Sequence, residues 1–455
     1  MSVRGGAIVA TGALAGLLAI PAEARAGAFE LFGFGPEGAA QISARSARAE
    51  GPSAAFDNPA GLAFGSGTQL ALAPTFGVSA LSAQGQVKPL ADPLGATLGL
   101  TLPLPIDASF ARRIRLGLGA YFPTTVLRFI AHPGTEPFFP YYDNRSQRIV
   151  VLPALAVKIT GRLALGAALN VLGGVTGPAT VLPGASGAPE SRIALSATTT
   201  AAVHVGLRFD PTERVHLALV FRQRFALPAA VSTRADVAGV PIDVDVSTAS
   251  ALYDPLTVVL GSRVDLGAST FELDASYVRW SDWEGPFAAV QASLPGVSLG
   301  STLRAHPGRD VVSLRASATH RITLGSKADL ELSGGAGAEP SMLASAPQGR
   351  TNMVDGDKLL FGLGASIVLR EPFASTMDHA PATVRALRFG AGAGAQVLLP
   401  YAEDKRVCQR YPCPADTIAG SDPDHPGAGI DNPGFPRLTG GGSFWSISVG
   451  LGAEL

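Results

Sequence analysis

From about residue 67 to its C-terminus this chain alternates apolar and polar residues with a period of two, and that pattern limits the folds open to it. At 161–172, Leu163, Leu165, Ala167, Leu169 and Val171 share one parity, while Arg162, Gly166 and Asn170 share the other. At 213–224, Val215, Leu217, Leu219 and Phe221 alternate with Arg214, His216, Ala218 and Arg222. The tail places Trp445, Ile447, Val449, Leu451, Ala453 and Leu455 on one face. Successive side chains of a strand point to opposite sides, so alternation over 8–12 residues predicts strand. About fourteen such segments can be laid out. They lie near 67–80, 93–104, 111–123, 147–159, 161–173, 191–208, 213–224, 254–267, 269–281, 309–323, 327–338, 356–369, 384–399 and 441–455. Their lengths, roughly 9–15 residues, suit tilted strands that cross a bilayer.

The connections sort into two kinds. Counted from the first strand, the even-numbered joints are tight (PIDASFA, TG, DPTE, GA, TLGSK) except for 370–383. The others are long: 81–92, 124–146, 174–190, 225–253, 282–308, 339–355 and 400–440. Short turns at one end and long loops at the other are the asymmetry of outer-membrane barrels. Composition agrees. Charged residues make up 16% and hydrophobic ones 47%, whereas a soluble domain is about a quarter charged. No internal stretch reaches the roughly 18 continuous apolar residues of a membrane-spanning helix. The predicted fold class is therefore all-β, a transmembrane antiparallel β-barrel with one face toward lipid and the other enclosing a lumen.

Parity sends Arg115, Arg148, Lys158, Arg162, Arg222, Arg263, Asp265, Glu272, Asp274, Arg315, Glu331 and Arg388 to the lumen, where buried charge must be paired or hydrated. Such a lumen is too wide for its own side chains to fill. Residues 27–66 are Gly- and Ala-rich and lack useful alternation; they are the candidate plug, with a periplasmic tail as the alternative. Ahead of them, Arg4, the apolar run 7–20 and Ala24-Arg25-Ala26 form a signal peptide pattern. The expected divisions are signal peptide 1–26, N-terminal hatch 27–66 and barrel 67–455. For an exported chain, Cys408 and Cys413 read as a local disulfide, because an isolated C-x₄-C lacks partner ligands for zinc. A net charge of −1 gives no reason to expect nucleic-acid binding.

GAFELFGFG, followed by ARSARAEGPSAAFDNPAGLAF with Asn58-Pro59-Ala60, resembles the N-terminal hatch of the FadL/TodX family of outer-membrane hydrophobic-compound transporters. RLGLGAYFP (115–123), LPALAVKITGRLALGAALNVL (152–172), VRWSDWE (278–284) and DGDKLLFGLGAS (355–366) resemble later parts of the same family. The resemblance implies a fourteen-stranded barrel plugged by a hatch of some forty residues. It further implies passive uptake of fatty acids or other hydrocarbons, released by movement of the hatch, with lateral exit at a kink in the third strand. By position, Gly27, Ala28 and Phe29 match the hatch terminus, with Phe29 and Leu31 as pocket walls. Asn58, Pro59 and Ala60 match the hatch turn, and Gly117 and Gly119 are the kink candidates, with ordinary lumen packing as the alternative. A carboxylate ligand would need a lumenal cation, for which Arg148, Arg222 and Arg315 are candidates; an uncharged hydrocarbon would need none. The expected surroundings are lipid and lipopolysaccharide, the expected state monomeric, and no cofactor or metal is called for.

Two motifs of catalysis occur without their context. Gly33-x-Gly35-x-x-Gly38 spells a dinucleotide fingerprint, but no strand precedes it and Pro36 interrupts it. Gly296-x-Ser298-x-Gly300 spells a nucleophile elbow in a loop with no α/β setting. His204, His216 and His320 fall on strands, with nothing in the sequence to tie one to a serine. The chain is expected not to be an enzyme. The alternatives are an adhesive or structural barrel and a barrel lipid hydrolase.

Overall fold

The computed structural model describes residues 28–87, 92–104, 106, 110–124, 139–142, 149–176, 179–183, 189–193, 196–237, 240–283, 289–294, 297–302, 308–343, 353–372, 384–404 and 437–455. The expected signal peptide, Gly27, Arg148, Cys408 and Cys413 lie outside them.

Fourteen strands form the wall. They are β1 (Gln69–Ala83), β2 (Leu94–Pro103), β3 (Ile114–Pro123), β4 (Val150–Lys158), β5 (Leu163–Thr176), β6 (Ser196–Phe209) and β7 (Val215–Arg222). There follow β8 (Leu256–Leu266), β9 (Ser269–Arg279), β10 (Val311–Thr323), β11 (Ala328–Glu339), β12 (Lys358–Arg370), β13 (Ala386–Asp404) and β14 (Arg437–Glu454). Each pairs antiparallel with its neighbours in sequence, and β1 pairs with both β2 (Gln69↔Thr101) and β14 (Gln69↔Glu454). The sheet thus closes on itself, which satisfies every edge, as a lipid environment demands. Each element matches one of the alternating segments, with its ends moved by a few residues.

Alternation decides which face meets lipid. Along β14, Trp445, Ile447, Val449 and Leu451 are 44–52% exposed, whereas Phe444, Ser446 and Ser448 are at most 3% exposed. Leu70, Leu72 and Phe76 on β1, Phe271 and Leu273 on β9, and Phe361 and Leu363 on β12 continue the apolar outer belt. A closed, belted sheet of this kind is a membrane barrel of the outer-membrane type. Arg162 departs from expectation: β5 begins only at Leu163, so Arg162 sits exposed in the turn and donates to the Pro211 carbonyl oxygen at 3.2 Å.

The long connections hold more structure than their length suggested. Residues 225–237 and 240–254 prolong β7 and β8 as a hairpin that turns at Val237↔Val240. With 179–183, 189–193, 289–294 and 297–302 they make a second, six-stranded sheet. Alternation is present there too (Val240, Ile242, Val244, Val246), but a period of two cannot separate strands inside the bilayer from strands beyond it.

Ladders of the wall are interrupted at prolines: β1 with β14 passes from Leu72↔Leu451 to Thr75↔Ser448 around Pro74, and β13 with β14 shifts between Leu398 and Tyr401 around Pro400. Pairing of β4 with β5 passes from Val151↔Val171 to Ala154↔Ala168, leaving out the exposed Pro153, which has no N–H to give. Pairing of β3 with β2 and with β4 runs without a register shift through Gly117 and Gly119.

Candidate functional site

The segment before β1 folds into short helices, α1 (Ala28–Phe32), α2 (Gly35–Ala40) and α3 (Ala54–Asp57), with a 3₁₀ turn over Pro59–Phe64. Pro36 at the start of α2 suits a position whose N–H has no helical partner. Gly33 joins α1 to α2 at φ +73°, and a Cβ there would stand 2.2 Å from the Gly38 carbonyl carbon, so no other residue fits. The glycines of the would-be fingerprint thus serve a tight turn.

The wall holds this segment by its backbone. On β9, Asp274 accepts from the Arg45 and Ser46 N–H groups at 3.0 and 3.1 Å and from Ser46 Oγ at 2.7 Å. One pleat away, Glu272 Oε1 accepts from the Ala47 and Arg48 N–H groups at 2.9 and 2.8 Å. Four successive amides are therefore satisfied by two buried carboxylates, an arrangement in which each charged hydrogen bond contributes about 1.5–3 kcal/mol. Ser317 Oγ donates to the Ala44 carbonyl at 2.8 Å, and Gln41 Nε2 to Thr319 Oγ1 at 2.6 Å.

Asn58, at the hatch turn, is wholly buried. Its Oδ1 accepts from Ala60 N at 3.1 Å, capping the 3₁₀ turn, while Nδ2 donates to the carbonyls of Ser46 (2.9 Å) and Leu207 (3.2 Å). Pro59 and Ala60 lie against Gly166 on β5, where a Cβ would come within 2.2 Å of the Pro59 carbonyl carbon. Gly117 and Gly119 face the same segment: a Cβ would meet Leu62 at 2.7 Å and Phe34 at 3.0 Å respectively. Across the barrel Gly362 and Gly392 leave room in the same way for Ala40 and Pro36.

Aromatic rings run in an unbroken series from the long-loop end to this segment. Trp283, just past β9, lies 6.0 Å from Trp280, and Trp280 lies 6.3 Å from Tyr141. The series continues through Tyr142 (5.1 Å), Phe444 (5.5 Å), Phe32 (5.8 Å), Tyr121 (5.9 Å) and Phe29 (6.1 Å). Phe29 is 1% exposed and packs on Phe34 and Phe56 at 5.0 and 5.1 Å. Leu31 is buried beside it, its carbonyl accepting from Gln396 Nε2 at 3.2 Å. Of these rings the sequence pointed to Phe29 as a pocket wall and to Trp280 and Trp283 only through the VRWSDWE resemblance. Phe444 and Tyr121 were legible as aromatics on the lumen parity of their strands, but Tyr141 and Tyr142 sit in a connection that carries no period.

Charge is distributed unevenly along the lumen. At the short-turn end a cavity of about 350 Å³ is lined by Glu37, Arg45, Arg48, Glu331 and Arg388, among others. Burial works to raise the Glu37 carboxyl, but Arg388 at 2.8 Å, then Arg45 and Arg48, outweigh it and hold it down at about 2. Toward the rings lies a smaller cavity of about 50 Å³ bordered by Phe56, Tyr141, Trp280, Arg222 and Arg315. Of the three arginines expected for a carboxylate, Arg148 lies outside the described residues, and the other two are already engaged. Arg222 stacks on Phe56 at 4.3 Å, donates to the Phe56 carbonyl at 3.2 Å and stands 3.9 Å from Glu30. Arg315 pairs with Glu339 at 3.0 Å and donates to the Ile42 carbonyl at 3.2 Å. The buried Lys358 pairs with Asp355 at 2.9 Å. His320 does meet a serine, Ser269, at 2.9 Å, on the outward parity of β9 and β10 and away from the lumen.

No family model matches the sequence, and no curated protein matches it. Solved structures do. A FadL homologue of Pseudomonas aeruginosa superposes with a TM-score of 0.56 at 14% identity, covering 95% of this chain and 99% of the other. The CymD monoaromatic hydrocarbon channel gives 0.52 at 14% identity over 94% and 99%. A deletion mutant of the TodX monoaromatic hydrocarbon channel gives 0.54 at 12% over 94% and 100%. The chain has the fold of the FadL and TodX outer-membrane channels, the family that its sequence resembles.

Proposed function

We propose that this protein carries small hydrophobic compounds, fatty acids or hydrocarbons, passively across the outer membrane, with residues 28–66 acting as the hatch. The observation that carries this reading is the series of rings from Trp283 to Phe29, which ends on the segment that fills the lumen. A solute moving along it exchanges one apolar contact for the next, and each buried methylene contributes about 0.8 kcal/mol, so no energy source is required. The names of the superposed channels, which include monoaromatic hydrocarbon channels, support the substrate class. Release requires α1 and α2 to shift, since Phe29, Phe32 and Phe34 close the path. A lateral way out lies where Phe34 and Leu62 cover the bare backbone of Gly119 and Gly117, next to the interrupted ladder at Pro153.

Uptake of labelled toluene and oleate by cells that express the protein tests the reading. Expression should raise uptake of at least one of them several-fold, and Trp280→Ala should remove most of the gain while the barrel stays folded by its heat-modifiable gel mobility. Uptake equal to that of cells without the protein would end the proposal, and release of product from a detergent-presented ester would favour a hydrolase instead.

A further inference from the structure

The small cavity beside the rings has more acid than base. Glu30, Asp57, Asp274 and Glu339 border it, against Arg222 and Arg315. Asp274 spends its charge on the amides of Arg45 and Ser46, Glu339 on Arg315, and Glu30 lies by Arg222. Asp57 is left over. It is 2% exposed, neither of its oxygens has a hydrogen-bond partner, and Arg45 Nε is no nearer than 3.9 Å. A buried carboxylate held this weakly is costly, and here burial pushes its carboxyl above the ordinary range despite Arg45, Arg222 and the neighbouring Ser53 hydroxyl. Around it the walls are Phe56, Tyr141 and Trp280, together with Val259 and Val278. Ring faces attract cations and give nothing to anions. Phe56 already carries Arg222 at 4.3 Å and Tyr141 carries Lys358 at 4.2 Å, so the rings here are cation-binding and a further cation must use their other faces or Trp280.

We propose that this cavity receives the positively charged head of a hydrophobic amine, with the ammonium on Asp57 between the rings of Phe56, Tyr141 and Trp280, and that it disfavours carboxylates. The volume supports a head rather than a whole ligand. About 50 Å³ holds a few water-sized groups, each needing roughly 10–15 Å³, so the apolar tail lies along the neighbouring rings. An ammonium brings three donors to an acceptor that has none, whereas a carboxylate would meet four acids and no unengaged cation. This inference rests on the reading of the lumen as a passage for hydrophobic compounds, and it adds hydrophobic amines to the substrates of that reading while setting carboxylates last.

Three probes of equal skeleton test it: phenylbutylamine, butylbenzene and phenylbutyrate, bound to the purified mature protein in nanodiscs and followed by tryptophan fluorescence against empty nanodiscs. The expected order is amine, then hydrocarbon, then carboxylate, with the amine ahead of the hydrocarbon by about tenfold, the scale of a desolvated charged contact. Asp57→Asn should erase the amine's advantage and leave butylbenzene unchanged, and Asp57→Glu should restore part of it. Phenylbutyrate binding as tightly as the amine, or an amine advantage that survives Asp57→Asn, overturns the assignment. The wild-type ranking decides the matter by itself if the variant does not fold. Should butylbenzene fail to bind at all, the passage reading fails with it; should it bind equally with the amine, only the assignment of Asp57 fails.

Discussion

Both carboxylate oxygens of Asp274 are held by Ser46, Oδ2 by its backbone N–H at 3.1 Å and Oδ1 by its hydroxyl at 2.7 Å, although 228 residues separate the two in sequence. With Glu272 alongside, this fixes the middle of the N-terminal segment to one strand, while α1 and α2 are held by rings, by Glu37 and by the hydrogen bond from Gln396 to the Leu31 carbonyl. Anchored at its centre, the segment would stay in the barrel under the proposed shift of its start.

The anchor can be removed. Glu272→Ala with Asp274→Ala leaves four buried amides without acceptors, at about 1–3 kcal/mol each. Trypsin should spare the peptide bonds after Arg45 and Arg48 in the wild type and cut them in this variant, while the barrel keeps its heat-modifiable mobility. Continued protection would show that the anchor is dispensable.

Close packing of the hatch turn makes a second forecast. A Cβ on Gly206 would stand 2.0 Å from Asn58 Oδ1, so Gly206→Val should unseat Asn58 and cost roughly 1–3 kcal/mol or more. The expected result in planar bilayers is a small-ion leak absent from the wild type, accompanied by a lower melting temperature. An unchanged, silent barrel would mean that the turn tolerates the methyl groups.

Acid should weaken the start of the hatch. The Glu37 carboxyl is lowered in the folded state to about 2 from an ordinary 4.5, so its contribution is complete above that ordinary value and disappears as pH falls toward 2. Glu37→Gln should therefore lower the melting temperature at pH 6, and the gap to wild type should narrow between pH 4.5 and 2. A gap that is constant over this range would place the effect elsewhere.

Phe444 links the outer rings to those of the hatch, lying 5.5 Å from Tyr142 and 5.8 Å from Phe32. Phe444→Ala should slow uptake of a hydrophobic solute several-fold, while binding at the Trp280 end, read by fluorescence, persists. Truncating a core phenylalanine costs about 3–5 kcal/mol, so melting must be checked beside it. Uptake at the wild-type rate in a folded barrel would break the proposed path.

The sequence by itself determined the wall. A strand's side chains alternate, and a bilayer on one side makes that alternation visible in Leu70 and Leu72 or in Trp445 and Ile447 without reference to any distant residue. It also showed that Glu272 and Asp274 point inward, and that Asn58-Pro59-Ala60 forms a turn. It did not show what those groups meet. That Asp274 receives Ser46, that Arg222 and Arg315 are occupied by the Phe56 and Ile42 carbonyls and by acids, and that Asp57 has no donor all depend on how one short segment is seated against strands hundreds of residues away. The six-stranded sheet was hidden for a related reason, since its alternation is the same as that of the wall. Local periodicity is set by the backbone alone; pairing of buried charge and contact between rings are set only when the closed sheet brings the chain's two ends together.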